Sequence, residues 1–363
     1  MFRPYRLPLL LLMLVCSAGT ARAQDSSAAQ AARADIKATL GFVPKFLNDV
    51  PDVALPGAWE EMKGLQMNPN TALPPKYKEL IGVAVAAQIP CKYCTYAHTQ
   101  FAKADAASEQ EIGEAVMLAA LTRHWSTFIQ GTQTDFVKWK AQVADMVAYT
   151  KRQMTNQQPP PKSMPVTDAA SATRDAQQWM GSVPEFVSKF PASAIAGAWK
   201  EQRDVEMAET AIAGKYKSLI ALAVSAQIPC KYCIEADTQF ARLQGATDQE
   251  INEAIAMSAL TRHWSTYLNG TMADEAQVKR DVDRLVRNMK KMAPKQPTDV
   301  SMLMKPGEKP EMNGQPTPAS ASKPVTSMPM QSAKPVTSPP PSQPPMNAPQ
   351  PQQPTNAPPQ PMH

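Results

Sequence analysis

Cysteine is scarce in this chain, with five among 363 residues. Cys16 lies near the start, and the other four form two Cys-x-x-Cys pairs, Cys91/Cys94 and Cys230/Cys233. So few cysteines exclude a wider disulfide framework, and the pairs read as chemical rather than structural. Charge of one sign is also lacking. Lys and Arg number 37 against 32 Asp and Glu, and no basic cluster stands out. That balance excludes a nucleic-acid footprint. Long apolar runs are missing, so no membrane-spanning segment is expected. No stretch alternates as a strand does, and the expected fold class is all-α.

The two ends drop out of fold reasoning. Arg3 and Arg6, the short apolar run Leu7–Val15 and the small residues around Ala21 and Ala23 read as a secretory signal over residues 1–23, cleaved after Ala23. Val15 is a poor fit to a lipoprotein processing site ahead of Cys16, so lipidation is not expected. Removing these residues takes away three arginines and no acid, which leaves 34 basic and 32 acidic residues and a net charge of +2. Secretion implies an oxidising compartment, here the periplasm. Residues 293–363 are rich in Pro, Gln, Ser, Ala and Met and read as a disordered, partly polyproline tail. Its methionines (Met302, Met304, Met312, Met328, Met330, Met346 and Met362) are soft ligands suited to Cu(I). A solvated tether is the reading that composition favours.

The middle is a duplication. Phe42–Phe46 returns as Ser182–Phe186, Gly57–Trp59 as Gly197–Trp199, and Thr122–Thr127 unchanged as Thr261–Thr266. The expected domains are 24–155 and 166–292, joined by a Pro-rich linker at 156–165. Each copy reads as helices throughout. An Ala-rich helix covers 26–40, with Gly41 as its stop. An amphipathic stretch follows from about Val53 to Met67. Pro74 and Pro75 open a helix to Gln88 whose apolar face is broad enough for full burial. Pro90 breaks it, and a cysteine helix runs from about Cys91 to Ala104. Ser108/Glu111 and Thr247/Glu250 are capping boxes that open long helices. Charged helices at about 133–151 and 273–291 close the copies.

On the cysteine helix, Cys91 and Cys94 share a face, and His98 follows one turn after Cys94. Cys91 sits at the helix start, where free backbone N–H groups and the helix dipole favour a thiolate. An imidazole beside Cys94 can take its proton. Glu79 lies twelve residues before Cys91 on the preceding helix, within reach of His98 if the two helices pack antiparallel. Thiol pair, imidazole and carboxylate together make a proton relay for thiol–disulfide chemistry.

This arrangement resembles the signature of the alkylhydroperoxidase D-like proteins of the carboxymuconolactone decarboxylase superfamily. The resemblance covers roughly 40–150 and 180–290. It implies an all-α fold, a peroxidase or disulfide reductase activity without metal or organic cofactor, and Glu79, Cys91, Cys94 and His98 as the relay. It also implies redox disulfides Cys91–Cys94 and Cys230–Cys233, with Cys94 attacking the peroxide and Cys91 resolving. Thiol chemistry alone leaves that order open, because the helix start favours Cys91. The implied partners are a hydroperoxide and a dithiol reductant protein, with trimeric or hexameric assembly as in relatives. Decarboxylation is not expected, because the true decarboxylases lack the cysteine pair.

The second copy keeps Cys230 and Cys233 but has Ser218 for Glu79 and Asp237 for His98. An ionised carboxylate beside Cys233 disfavours its thiolate, so the second site is expected to be impaired; compensation by Asp237 or Glu235 for the missing histidine is the alternative. Tyr93, Tyr232, His124 and His263 are candidate pocket residues, each with core packing as the plainer reading. Two other readings stand beside the peroxidase. One is disulfide exchange on protein substrates. The other is a noncatalytic metal-handling protein that works through its tail.

Overall fold

The computed structural model describes residues 26–159 and 161–292. The expected signal and tail lie outside them. Among the described residues there are fourteen α-helices, two π-helical turns and no strand. The first repeat holds α1 (26–40), α2 (Lys45–Asn48), α3 (Leu55–Glu61), α4 (Pro75–Gln88), α5 (Lys92–Ala104), α6 (Glu109–Gly131) and α7 (Phe136–Thr155). The second holds α8 (Ala169–Met180), α9 (Glu185–Lys189), α10 (Ile195–Gln202), α11 (Gly214–Gln227), α12 (Lys231–Leu243), α13 (Asp248–Gly270) and α14 (Glu275–Met292).

Two boundaries differ from the sequence reading. The helix expected to reach Met67 is α3 followed by a π-helical turn, Met62–Gln66, which recurs as Arg203–Met207 after α10. A π turn inserts a residue into the helical ladder and re-aims the side chains around it. The closing helices also start two to three residues late. In α7 the Asp135 side chain caps the start by accepting from the Lys138 N–H, which fixes the boundary there.

The core is built on α4 and α11. In α4 every residue from Lys78 to Ala86 is buried, and Lys217 to Ser225 repeats this in α11. A helix apolar all round must be central. These two helices lie against each other, and each carries its cysteine helix on one side and its long helix, α6 or α13, on another. Both capping boxes form as expected.

The closing helices are exchanged. α14 packs on α5 of the first repeat, and α7 packs on α12 of the second. Tyr96 donates to Asp283 at 2.7 Å, and the Trp139 indole donates to the Tyr232 carbonyl at 2.8 Å. Tyr93 and Tyr232 donate to the carbonyls of Ala273 and Thr134, just before the opposite closing helices.

Reciprocal carboxylates lock the halves further. Glu253 accepts from the backbone N–H groups of Ala72 and Leu73, and Glu114 accepts from those of Ala211 and Ile212. Glu253 also pairs with the fully buried Lys78 at 3.2 Å. Lys78 donates to the carbonyls of Leu65 and Asn68, so it holds the end of the π turn in place.

Candidate active site

The first cysteine pair sits where α4 ends and α5 begins. Cys91 is the N-cap of α5, and its sulfur accepts the Cys94 backbone N–H at 3.2 Å. The two cysteines are joined as a disulfide, with Cα atoms 5.3 Å apart. Cys91 is fully buried, and Cys94 is 4% exposed.

α4 and α5 pack against each other, and this brings Glu79 to His98. His98 Nδ1 lies 2.7 Å from Glu79 Oε2, and both side chains are buried. A carboxylate there accepts a hydrogen bond from Nδ1–H and leaves Nε2 as the free ring nitrogen. The other carboxylate oxygen accepts from Gln66 Nε2 at 2.9 Å. Gln66 comes from the π turn, so that turn orients the carboxylate that orients the imidazole. Thr261 Oγ1, from α13, lies 3.5 Å from His98 Nε2.

Glycine at position 82 makes the imidazole's space. A Cβ there would meet the His98 ring at 2.3 to 2.5 Å. The second repeat has Ala221 at this position and the smaller Asp237 in place of histidine.

Cys94, His98 and Glu79 line a cavity of about 310 Å³. That is at the lower end of the range for small-molecule sites. Cys91 does not line it. Tyr93, Phe101 and Asp105 line it from the first repeat; Trp264, Leu268, Val278, Val282 and Leu285 line it from the second. The lining is mostly apolar. Burial, reinforced by the nearby Glu79 charge, raises the Asp105 carboxyl from 3.8 to about 6. Sequence reasoning missed Gln66, Gly82 and Asp105. Their roles depend on neighbours supplied by packing: the π turn against α4 for Gln66, and α4 against α5 for Gly82 and Asp105.

The second site differs in kind. Cys230 and Cys233 are also a disulfide, with Cys230 as the cap of α12. Ser218 takes the place of Glu79 and accepts from Gln244 Nε2 at 3.4 Å. Glu206 replaces Gln66, and its carboxylate accepts from Gln202. Asp237 is buried, and its Oδ2 has no hydrogen-bond partner among the described residues. Burial raises its carboxyl well above the ordinary value, and the charge of Glu206 adds to this. This shift favours the protonated carboxyl, whereas the sequence reading takes the group as ionised.

The other candidate residues divide. Tyr93 lines the cavity. Its counterpart Tyr232 is buried against Trp139 and Phe136. Glu235 is only partly buried and accepts from Gln239 on its own helix. His124 and His263 are exposed, and neither lines the cavity. His124 stacks on Phe190. They fall on the outer face because Trp125 and Trp264, one residue on, take the buried positions.

The carboxymuconolactone decarboxylase family model matches residues 54–133 and again 194–273. Each repeat is a carboxymuconolactone decarboxylase family domain. The matched segments run from α3 to α6 and from α10 to α13, so both cysteine pairs fall inside family domains and the exchanged helices lie outside them. A protein of Paracoccus denitrificans, "Uncharacterized protein 4 in cox locus", is 38% identical over 69 residues, which is 19% of this chain. The chain spans 62% of that relative's length. No solved structure matches.

Proposed function

We propose that this chain is a thiol-dependent peroxidase, working in the periplasm, whose chemistry resides in its first domain. The observation that carries the reading is the placement of Cys94. Its side chain meets a small, mostly apolar cavity, with the Glu79–His98 pair lining the same space. A thiolate needs a base and a route for its oxidant; His98 on the same cavity wall supports the first and the cavity itself the second.

The reaction runs as follows. His98, oriented by Glu79, takes the Cys94 proton. The thiolate attacks the outer oxygen of a hydroperoxide, the O–O bond breaks, and the leaving alkoxide receives that proton and departs as an alcohol. Cys94 is now a sulfenic acid. The Cys91 thiolate attacks its sulfur, hydroxide leaves and becomes water with the proton that Cys91 lost on ionising, and the disulfide forms. A dithiol returns two electrons by exchange at Cys94 and closes the cycle.

This order makes Cys94 the attacking thiol and Cys91 the resolving one, as the family resemblance implies. Its support is that Cys94 lines the cavity and Cys91 does not. Burial of both sulfurs weighs against folded protein substrates, whose own disulfides would need close approach. The leader-like residues 1–23 support the periplasmic placement.

The test is a single-turnover mixing of the reduced protein with one equivalent of an organic hydroperoxide. The expected result is stoichiometric alcohol and a Cys91–Cys94 disulfide, mapped by mass spectrometry. Reduced thiols that survive the peroxide but exchange readily with protein disulfides would replace this reading with disulfide exchange.

A further inference from the structure

Cys91 is fully buried, and burial in apolar surroundings disfavours a thiolate. Its first support is the Cys94 backbone N–H at 3.2 Å. A second N–H donor arrives from the other repeat. Asn269 Nδ2, at the end of α13, lies 3.7 Å from Cys91 Sγ. The same nitrogen donates to the Ser265 carbonyl at 2.7 Å. An amide nitrogen carries two hydrogens. The Ser265 carbonyl takes one of them; the second faces the sulfur and the Ser265 hydroxyl oxygen, which lies 3.4 Å from the nitrogen.

The second site has no equivalent. Gln130 occupies the matching position in α6 and donates to the Ser126 carbonyl at 3.2 Å. Among the described residues, Cys230 receives only the backbone N–H of Cys233. The extra donor is therefore confined to the cysteine pair that has the Glu79–His98 pair beside it.

We propose that Asn269, from the second domain, holds Cys91 of the first domain as the resolving thiolate. In the disulfide the sulfur is a weak acceptor, in keeping with the long contact. When a reductant's thiolate attacks Cys94, the S–S bond breaks and Cys91 leaves as a thiolate, and both N–H donors then face a full charge. The same pair of donors readies Cys91 for attack on the Cys94 sulfenic acid in the next cycle. The resolving role rests on the peroxidase reading, whereas stabilisation of the Cys91 thiolate does not.

The test therefore starts without peroxide. Replacing Cys16, Cys94, Cys230 and Cys233 by serine leaves Cys91 as the sole thiol, and its titration is followed by thiolate ultraviolet absorbance. Asn269→Ala is expected to raise the midpoint by about half to one pH unit, the loss of one hydrogen bond. Asn269→Asp keeps the shape but adds a like charge, and should raise it further. A structural role alone would lower the melting temperature of both variants and leave the titration where it was. Coincident titrations in all three proteins would overturn the proposal.

With every cysteine restored, stopped-flow mixing with an organic hydroperoxide supplies the second arm. Asn269→Ala should leave the first phase unchanged and slow disulfide closure roughly 2- to 10-fold, with Cys94 sulfinic acid accumulating. A shifted titration in a protein that never consumes peroxide would sink the peroxidase reading and keep the assignment of Asn269 as the thiolate's donor. An unslowed closure phase in a protein that does consume peroxide would overturn the resolving role.

Discussion

At position 82 the first domain has glycine where the second has alanine, and the difference follows the residue at 98 or 237. A Cβ on residue 82 would occupy the His98 ring, and His98 cannot turn aside without losing Glu79. Gly82→Ala should therefore act as a catalytic lesion without altering any thiol or relay side chain. Peroxide turnover is expected to fall about 10²-fold or more, the range for loss of a positioned acid–base group. Turnover retained within a few-fold would show that the imidazole position does not matter.

Asp105 gives a pH test at the same scale. Its carboxyl is raised to about 6 in the folded chain, so the folded state holds a proton that the unfolded state has released. The stability this contributes is fully present below pH 4 and is lost as pH rises through 6. Asp105→Asn should raise the melting temperature relative to the parent above pH 7, with the gain vanishing near pH 4. A constant difference across that range would contradict the assignment. The spacing of Glu79, Cys91, Cys94 and His98 made these four legible in the sequence, because helical periodicity alone puts the last three on one face. Gly82 was not legible, because its reason is the volume of a side chain on the next helix. The upward shift of the Asp237 carboxyl was not legible, because its burial depends on packing that spacing does not report.

Part of the wall of the first site belongs to the second domain. α14 brings Val278, Val282 and Leu285 to the cavity wall. Leu285→Ala should cost about 2–5 kcal/mol of stability and raise the KM for peroxide at Cys94, although residue 285 lies far from that site in sequence. An unchanged KM would remove α14 from the substrate wall.

Glu253 tests the other crossing. Removing its carboxylate leaves the buried Lys78 ammonium without its counter-ion, and Glu253→Ala should destabilise by about 3–5 kcal/mol. Denaturant unfolding measures it, and a loss below about 1 kcal/mol would mean the pair behaves like a surface contact. The helices themselves were readable from capping boxes, prolines and apolar runs. Their partners were not: periodicity says that α7 and α14 bury a face, and cannot say that the face belongs to the other repeat.

Seen whole, the molecule is two family domains that complete each other and differ in the residues around their cysteine pairs. The first keeps Gln66, Glu79 and His98 around its cysteine pair, and the second has Glu206, Ser218 and Asp237. The duplication and the loss of the second relay were visible in the sequence, since both are matters of residue identity at matched positions. The exchange of closing helices explains why the altered half is still needed: α13 and α14 supply much of the cavity that the first half uses. The central claim is that peroxide chemistry belongs to the first dithiol alone. The most direct measurement is steady-state consumption of an organic hydroperoxide with a dithiol reductant, for the parent chain, Cys94→Ser and Cys233→Ser. The account predicts turnover abolished in Cys94→Ser and kept within about two-fold in Cys233→Ser. Turnover that survives Cys94→Ser, or that is lost equally in both variants, would contradict it.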